Sequence, residues 1–197
     1  MMYKKELIEL LKEKRISEQI VRAFKKIKRE AFVPAQYKQY AYEDCAIPIG
    51  LGATISQPST IAFMLDLLEL KRGQKALEIG SGSGYVLALI EKITKFKTYG
   101  IEILKELAKI SQRTLKNNKN ITIINKSGEG GLPVHAPYDR ILTSASADKI
   151  PIHLLSQLKE NGIIVASVQY SIIKLKKNKG KITKEEFPGF AFVPMRK

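Results

Sequence analysis

The segment Ala76-Leu77-Glu78-Ile79-Gly80-Ser81-Gly82-Ser83-Gly84-Tyr85 constrains the fold of this chain more than any other. A short apolar run of strand character enters three glycines at alternate positions, and an apolar, helix-forming stretch follows at once. Glycines there permit a tight turn and close backbone approach to a ligand at the carboxyl end of a first strand. A dinucleotide fingerprint would need its third glycine where Tyr85 stands, and no Lys-Ser/Thr follows to build a phosphate-cradling loop. A ligand without phosphates therefore fits this turn better.

Strand and helix patterns alternate on both sides of that turn. Residues 75–79, 98–103, 121–125, 139–143 and 163–168 read as strands, and 59–70, 85–93, 104–115 and 151–158 as helices. Such alternation implies a parallel, doubly wound sheet covered on both faces. Residues 172–175, a turn at Lys177 to Gly180 and residues 190–193 read as an antiparallel hairpin at the sheet edge. Upstream, residues 3–29 form two amphipathic helices: Leu7, Leu10 and Leu11 share one face, Ile20, Val21, Phe24 and Ile27 another, and Ser17 is placed as an N-cap between them. Between 32 and 58 periodicity disappears and Pro34, Pro48, Gly50, Gly52 and Pro58 punctuate the run, which predicts an irregular, functional loop. The expected fold is α/β, Rossmann-like and doubly wound, mostly parallel, with an antiparallel C-terminal edge hairpin and an N-terminal helical extension. With 197 residues it is expected to be a single domain, 1–57 forming the helices and loop and 58–197 the core.

Composition excludes several classes. One cysteine and two histidines cannot build a disulfide framework or a typical zinc site, so no metal is expected. Cys45 reads as a buried small hydrophobe, and His135 and His153 show no ligand spacing. No apolar run approaches the roughly 18 residues of a membrane helix, and Lys4, Lys5, Glu6 and Glu9 interrupt any signal-peptide core. A cytoplasmic protein without a membrane partner is expected.

The net charge of +15 points toward a polyanion until it is mapped. Residues 1–38 carry 11 basic and 5 acidic groups, 92–119 carry 8 and 2, and 174–184 carry 6 and none. Those segments hold +18 between them, and the rest sums to −3. Only 7 of the 34 basic residues are arginine, the side chain whose planar fork suits phosphate, so the excess reads mainly as solvated surface.

Two further loops complete the pattern. Glu102 ends the strand after the glycine turn, where a carboxylate accepts hydrogen bonds from a ribose diol. After the third strand, Ser127-Gly128-Glu129-Gly130-Gly131 places Glu129 to accept from an adenine amino group. This ordered trio looks like the S-adenosyl-L-methionine methyltransferase form of the fold, and the cofactor-binding set is Glu78, Gly80, Ser81, Gly82, Gly84, Tyr85, Glu102, Gly128 and Glu129.

Ahead of it stands Ile47-Pro48-Ile49-Gly50-Leu51-Gly52-Ala53-Thr54-Ile55-Ser56-Gln57-Pro58. With Phe32-Val33-Pro34, Ala41-Tyr42, Ile150-Pro151 and the closing Phe192-Val193-Pro194, the chain resembles the protein-L-isoaspartate O-methyltransferase family over nearly its whole length. The resemblance implies methyl transfer to the α-carboxylate of isoaspartyl residues in damaged proteins and peptides, starting repair through a succinimide. It implies Ser56 as donor to the carboxylate, with Thr54 beside it, and Ile55, Ser56, Val193 and Pro194 against the peptide. Read without that resemblance, Ser56 is better placed as the cap of the helix that begins near Pro58. The chain departs from the family pattern at Glu129, Gly131, Ala145-Ser146-Ala147-Asp148-Lys149 and Ser167-Val168-Gln169, so a reshaped adenine pocket, weakened activity or an altered peptide preference is open. The alternatives are a nucleic-acid methyltransferase, disfavoured by Thr143-Ser144-Ala145 where an Asp/Asn-Pro-Pro-aromatic loop would stand, and a non-catalytic fold relative binding RNA or protein. Nucleic acid is not an expected partner.

Overall fold

The computed structural model describes residues 1–149 and 152–193. Two helices, α1 (Lys4–Glu13) and α2 (Glu18–Lys26), open the chain, and 3-10 turns at Arg29–Phe32 and Ala35–Tyr40 follow. A hairpin of β1 (Ile47–Gly50) and β2 (Ala53–Ile55) leads into α3 (Pro58–Leu67). Then come β3 (Ala76–Ile79), α4 (Tyr85–Thr94), β4 (Thr98–Glu102), α5 (Lys105–Thr114), β5 (Ile121–Asn125), β6 (Tyr138–Ala147), α6 (Ile152–Ser156), β7 (Leu158–Val168), β8 (Ser171–Asn178) and β9 (Lys181–Pro188).

The main sheet runs β5-β4-β3-β6-β7-β8-β9. Its first five strands are parallel and the last two antiparallel, as the alternation predicts. Strand order reverses between β3 and β6, and in sheets of this kind a crevice opens at the carboxyl ends of the strands at that point. All four residues of β3 and all five of β4 are buried, the signature of central strands covered on both faces. Along β3 the side chains alternate: Leu77 and Ile79 join the apolar cluster of Ile101, Ile141 and Ile164, while Ala76 packs on the opposite face. That opposite face carries the larger cluster, in which Leu7, Leu11, Ile20 and Phe24 of the N-terminal helices meet Leu65 of α3 and Tyr85 and Leu89 of α4. Helix α4 is therefore buried on nearly every side, with the sheet beneath it and α2 above it.

Several expectations need correction. The stretch from 32 to 58 is not irregular: it holds the 3-10 turn Ala35–Tyr40 and the β1–β2 hairpin, in which Ile47 pairs with Ile55 and the register shifts at Gly50. The second strand of the tail hairpin is Lys181–Pro188 rather than 190–193. Lys179 and Gly180, both at positive φ, make the two-residue turn that such a hairpin favours. Cys45 is exposed, because it lies on the surface turn entering β1. Ser17 does occupy the N-cap of α2, but its hydroxyl makes no capping bond. Strand β6 continues to Ala147, beyond the expected 143, and α6 is shorter than expected.

Candidate active site

The glycine turn leaves β3 at Ile79 and is held from below by Ile101, whose carbonyl accepts from Gly80 N (2.9 Å) and Ser81 N (3.0 Å). Gly80 sits at φ +80°, and a Cβ there would lie 2.9 Å from Ala145 Cβ, so the approach of β6 admits no side chain. Gly84 takes a left-handed conformation at the N-cap of α4.

Glu102 at the end of β4 is 5% exposed and ties this turn to the head of α5. Its Oε2 accepts from Gly82 N at 2.7 Å and its Oε1 from Leu104 N at 2.9 Å. Each oxygen keeps a lone pair for a further donor.

Across the turn, β6 bulges. Thr143 pairs with Ala166 and Ala147 with Val168, so residues 144–146 of β6 stand against the single Ser167 of β7, two more than a regular ladder holds, and swing over the crevice. This puts the Ser144 hydroxyl 2.6 Å from Glu78 Oε1 as its donor. Glu78 itself is 1% exposed, and its Oε2 has no hydrogen-bond partner among the described residues. Burial, reinforced by the nearby Glu102 charge, pushes the Glu78 carboxyl up to about 8, against the pull of the Ser144 bond.

Two joined cavities open on these groups. One is lined by residues including Thr54, Ile55, Ser56, Glu78, Tyr85 and Phe192. The other is lined by residues including Ile101, Glu102, Leu104, Gly128, Ala145 and Val193. Thr54, Gly80, Gly82 and Ser144 border both. Ser81 lines the first cavity, and Tyr85 lies there edge-on to Phe24 and Phe32.

The capping reading of Ser56 does not hold. Asp44 caps α3 instead, accepting Ser59 N at 2.8 Å through Oδ1 and Gln57 Nε2 at 3.0 Å through Oδ2. The N-cap position is Gln57, with no side-chain cap of its own. Among the described residues the Ser56 hydroxyl has no partner, and Ser56 lines the cavity that holds Glu78. Its carbonyl accepts from the Arg29 guanidinium at 2.9 Å.

Most of the residues expected to bind cofactor or peptide thus line one crevice, but Glu129 does not. It is exposed, whereas its neighbour Gly128 is pressed against Ile79 and lines the second cavity. Gly131 has no room for a larger residue, since Gln157 and Leu154 would lie within 2.8 Å of its Cβ. Val193 lines the second cavity and its carbonyl accepts from Ser146 N at 2.9 Å. Pro194 and the Ile150-Pro151 pair lie outside the described residues. Sequence reasoning missed Ser144, Ala145, Asp44 and Arg29. For Ser144 a signal existed, its place at the carboxyl end of the fourth parallel strand beside the switch point.

This sheet order, with a glycine turn and a terminal β4 carboxylate at the switch point, defines a class I S-adenosyl-L-methionine-dependent methyltransferase. A solved protein-L-isoaspartate O-methyltransferase superposes with a TM-score of 0.91 at 26% identity, over 98% of this chain and 65% of that one. A candidate protein-L-isoaspartate O-methyltransferase from Plasmodium falciparum, solved with S-adenosyl-L-homocysteine, gives 0.87 at 25% identity over 100% and 99%. A protein-L-isoaspartate O-methyltransferase of Methanococcoides burtonii is 38% identical across 96% of this chain and 97% of its own length. The family model described as protein-L-isoaspartate(D-aspartate) O-methyltransferase matches residues 2–197, and the chain belongs to that family. Its activity is S-adenosyl-L-methionine-dependent O-methylation of protein L-isoaspartate. Among the described residues no helix is long and apolar enough to cross a membrane, and no cluster of three or more His, Cys, Asp or Glu is placed to hold a metal ion.

Proposed function

We propose that the cofactor spans the two cavities, between Glu78 in the first and Glu102 in the second, and that Ser56, on the wall of the first, holds the substrate carboxylate. Bound S-adenosyl-L-methionine supplies an electrophilic methyl on a sulfonium, which passes to a carboxylate oxygen as the carbon–sulfur bond breaks. The residues fit that group. The orphaned, buried Glu78 Oε2 suits an α-ammonium, and the remaining lone pairs of Glu102 suit a ribose diol.

An isoaspartyl α-carboxylate is ionised at neutral pH, so no general base is required. The protein contributes alignment and exclusion of water. Ser56 donates its hydroxyl to the carboxylate oxygen that does not attack, with backbone amides around Thr54 to Ser56 assisting. Ile55 and Val193 flank the peptide, which adds along residues 192–193 as an extended strand. The ester then has a better leaving group than the acid, the following backbone nitrogen closes to a succinimide, and hydrolysis yields part normal aspartate without further catalysis. Residues 1–57 and 58–197 act as one unit, since the cavity draws its walls from both.

The observation that carries this reading is the Ser56 hydroxyl, without a partner among the described residues, on the cavity that holds Glu78, with the helix cap supplied elsewhere. Peptides identical except for aspartyl or isoaspartyl at one position, offered with labelled cofactor, are expected to label only in the isoaspartyl form. Ser56→Ala is expected to lower kcat/KM for that peptide by roughly 10- to 100-fold, the loss of a hydrogen bond to a charged group, with cofactor Kd and Tm unchanged. Equal labelling of both peptides, or an unchanged kcat/KM in the variant, counts against the assignment.

A further inference from the structure

Among the described residues two arginines are buried, and they are treated differently. Arg140 is satisfied: Nε donates to Leu68 O, Nη1 to the Asp139 and Asn161 carbonyls, and Nη2 to Glu69 O at 3.1 Å. It closes the C-terminal end of α3, where cations and donors belong. Arg29 is 0% exposed and makes one side-chain hydrogen bond among the described residues, Nη2 to the Ser56 carbonyl at 2.9 Å. Its Nε and Nη1 have no acceptor, and its guanidinium stands 5.2 Å from the centroid of the Tyr85 ring.

An unpaired buried cation is a cost to folding, and replacing it with an apolar group of similar volume is often neutral or stabilising. Arg29 therefore has no evident role in stability. Its one bond falls on the peptide group that presents the proposed carboxylate donor, and the ring it covers lines the same cavity. Asp44, near enough for its charge to act on Arg29, holds Gln57 and Ser59, so the chain directly after Ser56 is tied by both groups.

Resting on the reading of Ser56 given above, we infer that Arg29 is a positioning residue for methyl transfer, fixing the Ser56 peptide and setting a positive charge behind the substrate carboxylate. The bond to the carbonyl fixes the rotation of the Ser56 peptide and with it the direction of the side chain. The charge, poorly screened where it is buried, favours an anion in front of that peptide. Both effects act on carboxylate binding and neither on the cofactor, whose orphaned acidic partner is Glu78.

The test is Arg29→Met, which keeps an apolar stem without charge or donor, and Arg29→Lys, which keeps the charge and one donor. Arg29→Met is expected to raise the KM for an isoaspartyl peptide on the order of tenfold, the loss of one charge-assisted hydrogen bond. Tm is expected to stay level or rise, and the Kd for S-adenosyl-L-homocysteine to stay unchanged. Arg29→Lys is expected to fall between wild type and Arg29→Met. In the Ser56→Ala background, Arg29→Met is expected to add little to KM, because the two act on one contact. A wild-type KM in Arg29→Met overturns the assignment, as does a lowered Tm with cofactor affinity lost in step, the pattern of a packing residue. If Arg29→Met does not fold, Arg29→Lys decides by the same split, a raised KM at unchanged Kd supporting the assignment and a wild-type KM overturning it. Failure of the Ser56 reading is separately visible: Ser56→Ala alone then leaves KM and kcat untouched, whatever Arg29→Met does.

Discussion

Glu78 shows how one buried oxygen can couple cofactor binding to pH. Its carboxyl, pushed up to about 8 by burial, is protonated in the folded protein through most of the neutral range. An ammonium at the orphaned Oε2 would reverse that preference and drive the proton off. The expected outcome is that S-adenosyl-L-homocysteine binding tightens as pH rises from 6 to 8, by up to about tenfold per pH unit, with release of a proton. Titration calorimetry in two buffers of different ionisation enthalpy reads that proton, and Glu78→Gln should abolish it while weakening binding. Stability carries the opposite sign. A carboxyl whose folded pKa lies above its unfolded value supports the fold fully at low pH and loses that support as pH rises from about 4.5 toward 8. The cofactor-free protein should therefore melt lower at pH 8 than at pH 6, and Glu78→Gln should flatten the difference. A pH-independent Kd for the wild type would remove this account.

At the scale of elements, the site depends on how two short segments end. The N-terminus of α3 is closed by a residue 15 positions upstream, so Asp44→Ala should cost about 1 kcal/mol of unfolding free energy in denaturant titration, within the roughly 0.5–2 kcal/mol range of lost caps. Asp44→Asn should recover most of it, and an Ala variant as stable as wild type would show that the cap is dispensable. The glycine turn, Glu102 and the boundaries of β3, α4, β4, α5 and β5 were legible in the sequence, because glycine spacing and apolar periodicity are local properties. The β1–β2 hairpin was not: Pro48, Gly50 and Gly52 read as punctuation, and the Ile47 to Ile55 pairing appears only once the chain has folded back. The outer strand β9 was displaced in the reading for a related reason. Its residues are mostly exposed and charged, so the apolar signal lay in Phe190 and Phe192, which instead pack beside α3, Phe190 stacking on Phe63. The Ser144–Glu78 pair joins positions 66 apart, and the Arg29–Ser56 bond joins positions 27 apart. No local pattern encodes either contact, which is why the acidic end of the first cavity and the support of Ser56 were invisible before the strand order was known.

For the whole molecule, the question is whether the N-terminal helices are an addition to a self-sufficient α/β core. Most of their lysines are exposed, and in the tail hairpin Lys174 is covered by its pairing with Glu69 while Lys179, Lys181 and Lys184 are exposed, which explains how a charge of +15 coexists with a crevice whose principal ionisable groups are Glu78 and Glu102. Their apolar faces belong to the same cluster as the core. Leu7, Leu11, Ile20, Val21 and Phe24 are each 2% exposed or less, and Phe24 meets Tyr85 edge-on at 6.0 Å. Removing residues 1–28 would forfeit those five burials and strip α2 from the outer face of α4. At roughly 1.5–3 kcal/mol for each large apolar side chain, the loss is comparable with the whole net stability of a domain, about 5–15 kcal/mol. The expected outcome is that chain 29–197 shows no cooperative thermal transition by circular dichroism, and that S-adenosyl-L-homocysteine does not restore one, since Arg29 and Tyr85 lose their cover together. A truncated chain that melts cooperatively and binds S-adenosyl-L-homocysteine would instead make the N-terminal layer a separable module.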